Sequence, residues 1–296
     1  MSRPVSIIGA PSSAGAYAPG QEDAPAAFRR HGLVATLEHA GRRVRDRGDV
    51  AGFRWRPDPA HPEAMNVAAV ARTARAVSDV VADAMADGDA VLVLGGDCTV
   101  ELGTVAGTLR HSRSVGLVYV DLDVDLNVPD TSDGALDWTG VAHLLDLPGA
   151  AAELSALGPR RPMLGPADVL FFGADNVTPP EAATIARLGL QSIGLDEVRA
   201  NPIAAGTRAV AWGAGHDLLL VHVDVDVLAF TRFPIAENVR RCPGLELGEL
   251  ADALGVLLAA PNWRAATVTE VNPHHAPDER AAFGAMNAVL RDALRG

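Results

Sequence analysis

The 296-residue chain contains no lysine; all 25 of its basic residues are arginine. Schiff-base chemistry and a P-loop lysine are thereby excluded. Cysteine is nearly absent too: Cys98 and Cys242 are the only two, too few for a disulfide framework. Aromatic residues make up 4%, and no apolar run reaches the roughly 18 residues that would span a bilayer. The N-terminal MSRPVSIIGAPSS offers neither the apolar core nor the cleavage site of a secretory signal, so a cytoplasmic location is expected. Positive charge is the last deficit. At a formal net charge of -12, the chain lacks the basic surface that replaces counterions, so neither nucleic acid nor a membrane is an expected partner. Small molecules and metal cations fit better.

What the chain has in quantity is Ala, Val and Leu, within 48% apolar residues. Seven apolar runs of strand length recur: VSIIGA, AVLVLGG, VGLVYVD, DVLFFGA, LQSIGL, LLLVHVDVD and ATVTEV. Helical patterns lie between them, as at Val67 to Met85 and Glu181 to Leu188. Strands apolar on both faces that alternate with helices indicate a largely parallel sheet covered on each side. No repeat or linker divides the chain, so one domain over residues 1–296 is expected. In such sheets ligands lie beyond the carboxyl ends of the strands. The residues that close the runs are therefore the ones to read for chemistry: Gly95 to Cys98, Asp121 to Asp125, Gly173 to Asp175, Asp224 to Asp226, and Glu270.

VYVDLDVDLNVPDTSDG spaces Asp121, Asp123 and Asp125 by two, and LVHVDVDVL does the same for Asp224 and Asp226. On an extended strand each set shares one face, with Leu122, Val124 and Val225 turned the other way. Five carboxylates converging without lysines to neutralise them read as a site for divalent cations ahead of solvated strand-end aspartates, since a buried unpaired carboxylate costs several kcal/mol. Hard oxygen donors suit Mn2+ or Mg2+.

With these motifs in view, the chain resembles the arginase/agmatinase (ureohydrolase) family along nearly its whole length. SIIGAPSSAGAYAPGQEDAPAAFRRHGL resembles the family's opening strand and loop, GGDCT its GGDHS, and DLDVDLNVPDTSDG its DAHxDxN segment. HVDVDVL resembles its second aspartate pair, and TEVNP its closing EVNP. The resemblance implies a three-layer α/β/α domain around an eight-stranded, mainly parallel sheet. It also implies two Mn2+ ions held by Cys98, Asp121, Asp123, Asp125, Asp224 and Asp226, with Asp121 and Asp224 bridging. Hydroxide formed between the ions would attack a guanidinium carbon. Asp125, Glu270 and Asp137 would be the catalytic residues, Glu270 anchoring the guanidinium by charge-assisted hydrogen bonds. A homo-oligomer, trimer or hexamer, is implied as well.

Three family histidines are replaced: the one in GGDHS by Cys98, the one in DAHxD by Asp123, and the proton shuttle by Asp137. With Cys98 as thiolate, six anionic donors face two dications, which should raise the pKa of water held between them. Asn127, Thr131 and Ser132 match positions that hold an amino-acid carboxylate, and Glu181 is a candidate for the amino end. A lost shuttle matters least for a less basic guanidine that brings its own ionisable group. The expected substrate is therefore N-hydroxy-L-arginine, giving ornithine and hydroxyurea, ahead of L-arginine, giving ornithine and urea. A catalytically inactive binding protein, or a hydrolase of another guanidino compound, stays open beside it.

His222 shares strand parity with Asp224 and Asp226 and reads either as a support for a ligand carboxylate or as a core histidine. His143 reads as a helix-surface residue that could alternatively move protons. Trp138 reads as packing, and His274 and His275 as edges of the pocket at most. Cys98 among aspartates is a poor nucleophile, leaving a metal ligand or a small core residue.

Overall fold

The computed structural model describes residues 3–239 and 243–295, so Cys242 lies outside the described residues. Eight strands form one sheet: β1 Val5–Gly9, β2 Val44–Asp49, β3 Ala90–Leu94, β4 Val115–Val120, β5 Val169–Ala174, β6 Gln191–Gly194, β7 Leu218–Asp224 and β8 Trp263–Thr269. Their order is β2-β1-β3-β8-β7-β4-β5-β6, and every neighbouring pair is parallel. Seven strands coincide with the apolar runs. The eighth, β2, has the sequence VRDRGD and a largely exposed pattern, so no apolar signal marks it. It sits at one edge, where Arg29 pairs with Asp46 at 2.8 Å and charge discourages further strands from pairing.

Side chains alternate between two cores, one on each face of the sheet. Along β3, Leu92 and Leu94 enter one core, Val91 and Val93 the other. The first core packs the helices Ala24–Arg30, Leu33–His39, Leu195–Ala200, Pro202–Gly213, Leu247–Leu257 and Glu279–Ala293. The second packs Val67–Ala86, Val100–Thr108, Gly140–Leu144, Ala152–Ser155 and Pro179–Leu188. The result is the three-layer α/β/α arrangement expected from the alternation. Among the described residues no helix is long and apolar enough to cross a membrane.

Strand order decides where chemistry can gather. β3 and β4 follow one another in sequence, yet β8 and β7 lie between them in space. The chain segments that leave β3, β8, β7 and β4 thus emerge side by side at one end of the sheet, where ligands bind in open α/β folds. Cys98, Glu270, Asp224 and Asp121 are on those four segments.

Candidate metal centre

Each segment reaches the centre by its own local geometry. After β3 the chain passes so close to the loop after β1 that a Cβ at Gly96 would lie 1.6 Å from the Ser12 carbonyl oxygen. Only glycine fits there. Asp97 then accepts from Gly15 N at 3.0 Å and Thr99 N at 3.0 Å, tying the two loops together and setting Cys98 at the foot of the helix Val100–Thr108. β8 is followed by Glu270, which takes a left-handed backbone with φ 61°. Its carboxylate accepts from Cys98 N at 2.9 Å and Gln21 Nε2 at 3.0 Å.

The aspartates converge, but not by strand alternation. β4 ends at Val120, and Asp121–Asp125 turns instead of extending, with Asp125 at φ 50°. Leu122 accordingly packs in the first core and Val124 in the second, whereas an extended strand would put both on one side. Asp226 likewise lies in a 3-10 turn, Val225–Val227. A left-handed non-glycine residue costs roughly 1–3 kcal/mol, so both Asp125 and Glu270 are held where they are by the surrounding fold.

Among the described residues two groups of donor atoms result, with the atoms of each group within 4.8 Å of one another: Cys98, Asp121 and His222 in one, Asp121, Asp224 and Asp226 in the other. Asp121 belongs to both. Its Oδ1 accepts from Asp123 N at 2.6 Å, while the buried Oδ2 has no hydrogen-bond partner among the described residues, which leaves it open to a cation. The Cys98 thiol donates to Asp224 Oδ2 at 3.1 Å, and Asp224 Oδ1 accepts from Asp226 N at 2.7 Å. Asp123 and Asp125 stand beside the two groups: the Asn176 amide donates to Asp123 and the Tyr119 hydroxyl to Asp125.

Burial first, then mutual repulsion, pushes the carboxyls of Asp121, Asp224 and Glu270 well above the ordinary range. Asp125 is raised too, by burial, against the opposing hydrogen bond from Tyr119. Burial and the charge of Asp224 raise the Cys98 thiol. Burial and repulsion thus favour the protonated forms at this end of the sheet, and a bound cation would reverse that preference.

Above the carboxylates opens a cleft of about 590 Å³, bordered by Cys98, Asp123, Asp125, Asp224, Asp226 and Glu270 on its floor. Tyr17, Asp133, Ala135, Asp137, Trp138, Asn238 and Val239 form its wall. Desolvation and the nearby Asp97 raise the Asp137 carboxyl. Among the described residues, Asn127, Thr131, Ser132 and Glu181 do not border the cleft. Asn127 donates to Glu181 at 3.1 Å, and Thr131 to Asn127 at 3.3 Å. Glu181 also accepts from Thr178 N and Oγ1 at 3.0 and 2.7 Å, capping the helix Pro179–Leu188. Ser132 accepts from Trp138 Nε1 at 2.9 Å.

His143 is fully buried rather than on a helix surface. Nδ1 meets Thr139 O at 2.7 Å and Nε2 accepts from Ala151 N at 3.0 Å, so both ring nitrogens are engaged. His274 faces solvent on Asp23, and His275 bonds Ala236 O at 2.8 Å. Sequence reasoning missed Tyr119, Gln21, Glu101, Tyr17 and Asn238. Tyr119 carried a usable signal, since it lies two residues before Asp121; the others depend on contacts between distant segments.

The protein is a parallel three-layer α/β/α fold with an acidic centre at the ends of β3, β8, β7 and β4. The arginase family model matches residues 3–294, and the chain belongs to that family, whose members hydrolyse linear amidines. It is 28% identical to human mitochondrial arginase-2 over 297 residues, 97% of this chain and 82% of that one. To rat arginase-1 it is 33% identical over 198 residues, 66% of this chain and 61% of that protein. The structure of arginase from Bacillus cereus superposes with a TM-score of 0.89 at 24% identity, covering 99% and 98% of the two chains.

Proposed function

We propose that the chain is a metal-dependent amidinohydrolase that cleaves the guanidino C–N bond of an arginine-like amino acid, with N-hydroxy-L-arginine preferred over L-arginine. The observation that carries this reading is Asp121, buried, shared by two donor groups, with an oxygen that no protein group satisfies. The residues that hold two divalent cations are Cys98, Asp121, Asp123, Asp125, Asp224 and Asp226, and Mn2+ suits the carboxylate oxygens. Such a pair, when bound, acidifies water and polarises the carbon under attack.

The protein's own groups do the rest. Glu270 is fixed by Cys98 N–H and the Gln21 amide, and its remaining lone pairs accept the guanidinium N–H groups. Asp137, whose carboxyl is raised by burial and by the nearby Asp97, stands on the cleft wall, where it would give a proton to the departing amine. Asn127, Thr131, Ser132 and Glu181 brace the loop whose Asp133, Ala135 and Trp138 face the amino-acid end. An N-hydroxyguanidine is less basic and asks less of a carboxylic acid donor than arginine does. A single domain, a cytoplasmic location and a homo-oligomer, trimer or hexamer, belong to the same proposal.

The test is a mass-spectrometric screen of Mn2+-loaded protein against N-hydroxyarginine, arginine, agmatine and guanidino acids. Ornithine with hydroxyurea should form faster than ornithine with urea. Faster release of urea overturns the substrate preference, and no product from any guanidino compound overturns the hydrolase in favour of a binding protein.

A further inference from the structure

We propose that the two donor groups are chemically unlike pockets: Cys98 Sγ, His222 Nε2 and an Asp121 oxygen hold a borderline cation such as Zn2+ or Co2+, and Asp121, Asp224 and Asp226 hold a hard one such as Mn2+. The inference deepens the metallohydrolase reading and rests on it. Its new element is His222 as a ligand, which supplies a neutral nitrogen from the strand β7.

The geometry is prepared for it. Cys98 Sγ and His222 Nε2 are 3.4 Å apart. Donors bound to one ion at about 2.3 and 2.1 Å, at a tetrahedral angle, are separated by about 3.6 Å. Nε2 has Thr269 Oγ1 as its other neighbour, also at 3.4 Å, longer than a good hydrogen bond. A satisfied core histidine would do better. On the far side of the ring, Nδ1 is 3.4 Å from Glu101 Oε2. A hydrogen on Nδ1 turned to that carboxylate leaves the Nε2 lone pair aimed at Cys98, the carboxylate–histidine arrangement that supports metal-bound imidazoles. Tyr119 stacks on the ring at 4.1 Å and 7°, fixing its plane in a site with no solvent exposure.

Charge points the same way. Cys98 as thiolate with Asp121, Asp224 and Asp226 carries four negative charges within the two donor groups, Asp123 and Asp125 add two more beside them, and the imidazole supplies a further donor without adding to that excess. Cation binding releases the thiol proton to solvent and leaves the sulfur as thiolate, the softest donor at this end of the sheet. Sulfur and imidazole favour Zn2+ or Co2+ strongly over Mn2+, whereas three carboxylates discriminate less and suit Mn2+.

The experiment loads metal-stripped protein with one equivalent of Co2+ or Zn2+. Co2+ should give a thiolate-to-cobalt charge-transfer band that Cys98→Ser abolishes. His222→Ala should lower affinity for the first equivalent by more than about 100-fold, and Glu101→Gln by about 10-fold. Asp226→Asn should keep the band and weaken Mn2+ binding. Should His222→Ala not fold, X-ray absorption of the native zinc form decides, with one sulfur at about 2.3 Å and imidazole scattering expected. Zinc bound by oxygen alone, or unchanged zinc affinity in folded His222→Ala, overturns the proposal. Metal binding as described without hydrolysis would refute the function and leave this inference standing. Hydrolysis by a Mn2+ pair indifferent to His222 would do the opposite.

Discussion

Raising the pH of the metal-free protein from about 5.5 to about 8 should destabilise it, and the size of the effect follows from linkage. Asp97, Asp121, Asp125, Asp137, Asp224 and Glu270 all have carboxyls raised chiefly by burial. A raised carboxyl holds its proton in the folded state after the unfolded chain has released it. Stability is therefore fully present below the unfolded value near pH 4 and falls as pH climbs toward the folded value. Each proton retained only by the native state steepens the loss by about 1.4 kcal/mol per pH unit, so two such protons cost about 2.7. Over two units that amounts to about 5 kcal/mol, the lower end of the 5–15 kcal/mol that holds a typical domain together. The carboxyls lowered by arginine, such as Asp46 beside Arg29, act in the opposite sense but only below about pH 4, outside this window. Divalent cations replace the protons as counter-charge, so the loaded protein should show a much flatter profile. The assay is differential scanning calorimetry across the pH series with chelator and with Mn2+. A metal-free melting temperature that is flat or rises between pH 5.5 and 8 would refute the claim that these carboxyls share a buried, cation-dependent site.

Two substitutions test neighbouring parts of the argument. Tyr119→Phe keeps the ring that stacks on His222 but removes the hydroxyl donated to buried Asp125, which should cost about 1.5–3 kcal/mol in the loaded protein; unchanged denaturant midpoints would show that the bond is not formed. Glu181→Ala removes the cap of the helix Pro179–Leu188 and the anchor of Asn127, and should cost roughly 1–2 kcal/mol with little change in KM. A large rise in KM without loss of stability would instead make Glu181 a direct contact to the substrate's amino end.

The β-then-α order, seven of the eight strands and the acidic strand ends could all be read from the chain, because parallel strands buried on both faces leave short apolar runs separated by helical patterns. Edge strand β2 could not. Its residues face water and carry charge, so it is a strand only because Val5 and its neighbours lend it hydrogen bonds. The convergence of the aspartates was legible as well, though not its cause: spacing by two suggested an extended strand, whereas turns and a left-handed Asp125 deliver them.

Cys98 and His222 mark the limit. Their residue types, and the strand parity of His222 with Asp224, are matters of sequence, set by local chemistry and the period of a strand. That they meet at 3.4 Å, with Glu101 behind the histidine and Tyr119 on its face, is not. The two residues are 124 positions apart, and they meet because β8 and β7 enter the sheet beside β3. Sequence alone determined which donors the chain owns and at which end of the sheet they gather. Tertiary structure decided which of them share a pocket, because proximity across a parallel sheet depends on strand order, which the local pattern of each run does not encode.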